Sequence, residues 1–276
     1  MNTTLAPAAA IDLEPLRRHV DALPALPQAL LQALAMLRSD DASAEDCAAP
    51  IARDPGMTAR ALRLANSAFY GMAGRVATVR DAVNMLGRGT LSALLTAAAV
   101  TAQFAPGRCP GIDLSAFWRH ALATAIAAQA LAAETGFDEE VAFTTGLLHD
   151  IGRLALAACF PAELAAVQAG GQTGGPLLDA ERAVFGLDHA AVGAMITRHW
   201  HFPAAVVTAI AEHHAAATAP PVLVDLVQLA DAVAHALEFD AATCARLALS
   251  PAQCQRVVER TEGGIAALCQ ALGVDT

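Results

Sequence analysis

An adjacent histidine and aspartate, His149-Asp150, stand inside the apolar phrase Gly146-Leu147-Leu148-His149-Asp150-Ile151-Gly152-Arg153. A charge in an apolar helix is costly unless it is paired or metal-bound, so any fold of this chain must bring partners to that pair. The sequence offers them at wide spacing: His120 upstream, then Asp188-His189, His213-His214 and Asp231 downstream. Imidazole and carboxylate are the ligand types of borderline and hard divalent cations. An adjacent pair of the two suits two ions, the ring binding one while the carboxylate bridges to the next across about 3.5–4 Å. The candidate ligands of a divalent cation (iron, manganese, zinc or magnesium) are thus His120, His149, Asp150, His189, His213, His214 and Asp231.

Each residue also has a plainer role. His120 fits a satisfied core histidine, and Asp188 an N-cap. His213-His214 fit a complement to a helix C-terminal dipole, and Asp231 a salt-bridge partner for an arginine. Arg153 lies one helical turn after the His-Asp pair, on the same face. It reads either as a clamp for a phosphate, which makes Asp150 and Arg153 the candidate catalytic residues, or as a salt bridge to Asp150.

The elements carrying these residues read as helices. The chain is 55% hydrophobic but only 4% aromatic, with alanine, the best helix former, supplying much of the apolar share. No segment alternates with the period of two expected of a half-buried strand. Helix punctuation is clear: Asp54-Pro55 as cap and first-turn proline, Thr78 through Asp81 as a capping box closed by Gly87, and Asp113 opening a helix that stops near Gly136. Another helix opens at Asp138 and carries His149-Asp150 until Pro161. Pro176, Pro203, Pro221 and Ser250-Pro251 mark later starts. The predicted architecture is all-α, a multi-helix bundle with an N-terminal helical subdomain. The Pro- and Gly-rich stretch Ala105–Gly111 divides residues 11–105 from a C-terminal bundle at 112–272. Gly170–Gly175 is a second loop, and Asn66 through Gly71 reads as a helix stop or as an aromatic contact surface built on Phe69 and Tyr70.

Charge narrows the partners. The net charge is −10, and all 17 basic residues are arginine. An acidic chain without a basic stripe is a poor binder of duplex nucleic acid, although arginine serves a localised phosphate well. The six cysteines form no C-x-x-C pair. Met1–Ala10 lacks the charge and apolar core of an export signal, and Leu91–Val100 is well short of the roughly 20 residues that cross a bilayer. A cytoplasmic protein with no membrane partner is expected.

Taken together, Leu23-Pro24-Ala25-Leu26-Pro27, Arg53-Asp54-Pro55-Gly56, Leu64 through Gly71, Ala142 through Arg153, Phe185 through His189, and Trp200 with Pro203 resemble the HDOD domain, a bacterial relative of the HD phosphohydrolases. The likeness covers most of the chain. It implies an HD-like helical bundle and a signal-transduction module, usually regulatory, whose members commonly lack part of the HD ligand set. This chain keeps all of it. HD-GYP phosphodiesterases, which the C-terminal half also resembles, carry a lysine where Arg153 stands and a Gly-Tyr-Pro motif after the paired histidines. Here Ala215-Ala216-Ala217-Thr218 follows them, and Ala116 stands where some relatives place a glutamate for a third metal. The resemblance therefore implies no useful cleavage of cyclic di-GMP and no trinuclear site.

Two functions follow. One is a cytosolic regulatory module that binds a signalling protein or a phosphate-bearing small ligand. The other is a metal-dependent phosphohydrolase acting on a nucleotide or other phosphate ester. Both stay open in the sequence. A signalling role further predicts that the metal pocket lies near the junction with the N-terminal subdomain, with the loops at 105–111 and 170–175 as the moving parts.

Overall fold

The structure is a computed structural model of the 276-residue chain, describing residues 11–24, 26, 28–39, 41–66, 74–104, 107, 109–169, 175–215, 222–236, 239, 244–245, 247–272 and 274. It is all-helical, with no strand among the described residues. The N-terminal part contains α1 (Glu14–Asp21), α2 (Gln28–Arg38), α3 (Ala44–Ala52), α4 (Pro55–Ala65), α5 (Val79–Leu86) and α6 (Arg88–Gln103). The C-terminal part contains α7 (Leu114–Thr135), α8 (Glu139–Leu148), α9 (Gly152–Cys159), α10 (Pro161–Gln168), α11 (Gly175–Phe185), α12 (His189–His199), α13 (Ala204–Glu212), α14 (Val222–Ala236) and α15 (Pro251–Leu272). No single helix among the described residues is long and apolar enough to cross a membrane.

Local chemistry sets the helix ends. Asp54 accepts from the Met57 amide and opens α4 with Pro55 behind it. Thr78 and Asp81 form a reciprocal capping box on α5, and Gly87 closes that helix at φ 79°. Asp113 and Asp138 cap α7 and α8, and Gly136 ends α7 in the left-handed region at φ 72°, where glycine avoids the Cβ penalty. Asn66 stops α4, its amide donating to Leu62 O and Val76 O while its carbonyl accepts from the Val76 amide. Phe69, Tyr70 and Gly71 of the same motif lie outside the described residues, as do Ala105, Pro106 and Arg108 of the expected boundary and residues 170–174 of the second loop.

The helix expected to run from Asp138 to Pro161 is in fact two. α8 stops at Leu148, His149 to Ile151 form a turn, and α9 starts at Gly152. Inside the turn the bonds tighten to three-residue spacing, Ile151 N to Leu148 O and Arg153 N to Asp150 O. On a regular helix neighbouring side chains diverge by about 100°; the turn lets His149 and Asp150 address one pocket.

The centre is α7, buried along most of its 22 residues and packed by α8, α14 and α15. Small residues let its neighbours close in. A Cβ on Gly146 would stand 2.9 Å from Thr124 O, so α8 lies directly on the α7 backbone. The tightest crossing is α9 on α12, where a Cβ on Gly152 would collide with the His189 carbonyl and stand 2.6 Å from the Gly193 amide. One apolar cluster runs from Leu16 through the N-terminal helices into α7–α13, and a smaller one fills the space between α7, α14 and α15. The N-terminal part is bonded to the bundle across 176 residues of sequence: His199 Nε2 lies 3.2 Å from Leu23 O, and Trp200 Nε1 donates to Pro24 O at 3.2 Å.

Gly152→Ala is expected to destabilise by about 3 kcal/mol or more, because the new methyl meets backbone that cannot yield. Gly263→Ala in α15, whose Cβ would meet open space, should instead gain up to about 1 kcal/mol from helix propensity. Urea unfolding of both variants checks the contrast.

Candidate metal centre

Helix ends, not helix middles, present most of the cluster. His149 caps the C-terminus of α8 and His213 that of α13. Both use one device: Nδ1 lies 2.7 Å from the carbonyl three residues back, Gly146 O and Ile210 O respectively. Each Nδ1–H donates to its carbonyl, which fixes the ring and leaves Nε2 as the free ring nitrogen, facing inward. His189 opens α12 behind the Asp188 cap, whose Oδ1 accepts from the Ala191 amide at 2.8 Å. Asp188 is thus a helix cap, held by Arg182 Nε at 2.8 Å, as its plainer reading had it. His120 and Asp231 come from within α7 and α14.

These side chains meet around Asp150. Its Oδ1 lies 3.1 Å from His189 Nε2, 3.7 Å from His213 Nε2 and 3.7 Å from His149 Nε2. Asp231 Oδ1 lies 3.0 Å from His120 Nε2 and 3.5 Å from His149 Nε2. His120 and His149 stand 3.3 Å apart at Nε2, and His189 and His214 3.1 Å. Three donor groups are compact enough for a cation: Asp150 with His189, His213 and His214; His120 with His149 and Asp150; and His120 with Asp231 and His235. The first two share Asp150, the arrangement expected of a carboxylate between neighbouring ions. Every expected ligand is in this one cluster.

The donor set fits a divalent cation. His213 Nε2 is buried without a hydrogen bond, and Asp231 Oδ1 has imidazole nitrogens close by but none in hydrogen-bond geometry, whereas buried polar atoms normally find a partner. A cation at either group would supply one.

Arg153 makes the salt bridge that is one of its two readings. Its guanidinium pairs with Asp150 Oδ2 at 2.9 Å, which fixes the carboxylate and turns Oδ1 to the histidines. Two functional residues were not legible in advance. Glu181 is buried, and its Oε2 lies 2.7 Å from His189 Nδ1 while accepting from the His189 amide at 2.8 Å. It stands in the charged run Asp179-Ala180-Glu181-Arg182 of α11, which reads as a solvated face and gave no signal of burial. His235 puts Nδ1 3.2 Å from Asp231 Oδ1, and spacing was the available signal, since i and i+4 share a helix face.

Burial disfavours every charge here, and the pairings decide which survive. Burial would lower His189, but the Asp150 and Glu181 carboxylates override it and raise it to about 10. Burial with the neighbouring His213 and His189 lowers His214 to about 3. The pair behaves as one imidazolium donating to one neutral ring. His149 and His120 divide in the same way: burial opposes the proton on both, the Asp150 charge raises His149, and burial wins at His120. Burial would raise both aspartates, yet the histidines around them hold Asp150 and Asp231 well below the usual carboxylate range.

The HDOD domain profile matches residues 23–216. An uncharacterized protein of Treponema pallidum (strain Nichols) is 28% identical over 207 residues, 73% of this chain and 39% of its own length; the chain thus spans about two fifths of that relative. A crystal structure from Shewanella amazonensis SB2B, carrying the name of a candidate phosphohydrolase, aligns at TM-score 0.78 and 29% identity, over 94% of this chain and 98% of its own. An HDOD domain protein with unknown function from Geobacter sulfurreducens aligns at TM-score 0.71 and 26% identity, over 94% and 93%.

Two outcomes are expected of Mn²⁺ titration by calorimetry. Binding should release protons, since His189 is charged below about pH 10 and must lose its Nε2 proton to ligate, so affinity falls as pH falls, about tenfold per pH unit for each proton displaced. Glu181→Ala should weaken Mn²⁺ binding about 10–100-fold, the usual effect of removing the group that orients a ligating imidazole.

Proposed function

The chain belongs to the HDOD family, and from that premise we propose that it is a signal-transduction module whose C-terminal pocket holds a divalent cation and takes a phosphate-bearing small ligand. The observation that carries this reading is α12. It starts at His189 in the ligand cluster and ends at His199-Trp200, which bond to the Leu23-Pro24 carbonyls of the N-terminal part. Eleven residues make a rod of about 16 Å, stiffened where Gly152 and Gly193 let α9 lie against it. A second tie runs along α8, from Glu140, which accepts from Ser92 Oγ of α6, to His149. A ligand that alters the cluster therefore acts on the ends of two helices whose far parts are bonded to the N-terminal surface. A signalling device needs such a differential interaction before occupancy can shift its states.

His120, His149, Asp150, His189, His213, His214 and Asp231 would hold the cation. When bound it supplies Lewis acidity toward a phosphoryl oxygen. The protein's own residues do the positioning: Arg153 fixes Asp150, and Glu181 fixes His189. A second reading, phosphoester hydrolysis, is favoured by the completeness of the ligand set and by the name of the Shewanella protein. Turnover of a phosphoester panel with added Mn²⁺ separates the two. The regulatory reading expects binding without turnover and no linear product from cyclic di-GMP. Turnover that disappears in Asp150→Ala would make the protein an enzyme.

Hydrogen exchange checks the coupling. Mn²⁺ should protect the α8–α9 turn and, through α12, the amides around Leu23 and Leu26. Protection confined to the ligand helices would remove the mechanical basis of the proposal. Trp200→Phe, which removes the hydrogen bond to Pro24 O, should cost about 1 kcal/mol of stability and reduce the protection at Leu23 without weakening Mn²⁺ binding.

A further inference from the structure

A cavity of about 430 Å³ opens at the outer end of the ligand cluster, between α7, α14 and α15. Its wall includes His120, so the metal-type pocket and the cavity share an imidazole. The remaining lining is mixed: Ser115 and Arg119 are polar, while Ala123, Ala234 and Ile265 form an apolar side. The volume lies in the range of roughly 300–1,000 Å³ typical of small-molecule sites.

Arg119 distinguishes this cavity from a gap between helices. It is exposed and makes no ion pair among the described residues, whereas Arg153, Arg182 and Arg256 are paired with Asp150, Asp188 and Glu134. The carboxylate in the wall, Asp113, has its Oδ1 committed to the Ala116 amide as the α7 cap. Ala116 itself presents only a methyl group to the cavity. The space next to the metal ligands is therefore lined by a guanidinium without an ion pair among the described residues, a hydroxyl, the helix-capping Asp113 carboxylate and an apolar wall.

Resting on the reading of a phosphate-bearing ligand given above, we propose that this cavity is the specificity subsite. Arg119 binds a second phosphate of the ligand, one that does not reach the metals, and the organic part lies along Ala123, Ala234 and Ile265. The ligand class is a small organic molecule with two linked phosphates, of which a nucleoside 5′-diphosphate is the simplest example. Guanidinium suits this task, because its planar fork matches two phosphate oxygens and its charge is independent of pH. Arg119 and His120 both line the cavity, so a phosphate at the metals and its linked neighbour at Arg119 would share one space.

Calorimetry on full-length, Mn²⁺-loaded protein tests this with inorganic phosphate, AMP and ADP as probes. Wild-type protein should bind ADP more tightly than AMP. Arg119→Gln should lose about 10–100-fold in ADP affinity, the usual worth of a hydrogen bond to a charged group, with inorganic phosphate binding unchanged within about twofold. Arg119→Lys should restore part of the loss. Glutamine at an exposed helix position keeps the fold, and thermal unfolding of the variant verifies it. Equal ADP affinity in wild type and Arg119→Gln would overturn the subsite while leaving the phosphate-ligand reading standing. If the Mn²⁺-loaded wild type binds none of the three probes, the phosphate-ligand reading itself fails, and the subsite with it.

Discussion

Asp150 is buried among His149, His189 and His213 with Arg153 as its one permanent cation, and the arrangement of the bundle follows from the need to partner a carboxylate held out of water. Removing the partners of a buried charge costs several kcal/mol, so the ends of α8, α12 and α13 must stay where their imidazoles meet it. Those imidazoles are themselves constrained. The carbonyls of Gly146 and Ile210 orient His149 and His213, and Glu181 orients His189. The result is a pre-assembled donor set in which some rings are charged and others neutral before any cation arrives.

Such a set can be assembled only if the helices come close. Alanine and glycine make that possible: α8 rests on the α7 backbone at Gly146, and α9 rests on α12 where Gly152 meets Gly193. The Gly152 contact also brings α9 against the His189 carbonyl, so the packing that stabilises the bundle and the geometry that positions a ligand are one contact. Low aromatic content, first visible as a helix-favouring composition, reappears here as short distances between helix axes.

The same tight packing gives the cluster a way to reach the rest of the molecule. Interiors at crystal-like density transmit displacement rather than absorb it. α12 connects His189 to the Leu23-Pro24 carbonyls, and α8 connects His149 to the Ser92–Glu140 contact. On the opposite side the cluster ends at His120 and a cavity carrying Arg119. The pocket thus has an inner side tied to the N-terminal helices and an outer side fitted for an anion.

The residues that cap helices, and the identities of the side chains now found around Asp150, were legible in the sequence. Capping depends on groups a few positions apart, so Asp54, Thr78, Asp113 and Asp138 could be read directly. A charged pair in an apolar helix must find partners, and the order of the other histidines and aspartates, which resembles that of the HD ligand set, pointed to which ones. Tertiary structure decided the rest. It broke the helix at His149–Ile151, which unbroken periodicity concealed, and gave Arg153 to Asp150 where the spacing allowed two partners. It placed Glu181 behind His189 and His235 beside Asp231, and turned the Leu23-Pro24 step into an acceptor for Trp200. These pairings depend on the relative position of helices far apart in the chain. That position is set by how closely glycine and alanine let backbones approach, a quantity no local spacing contains.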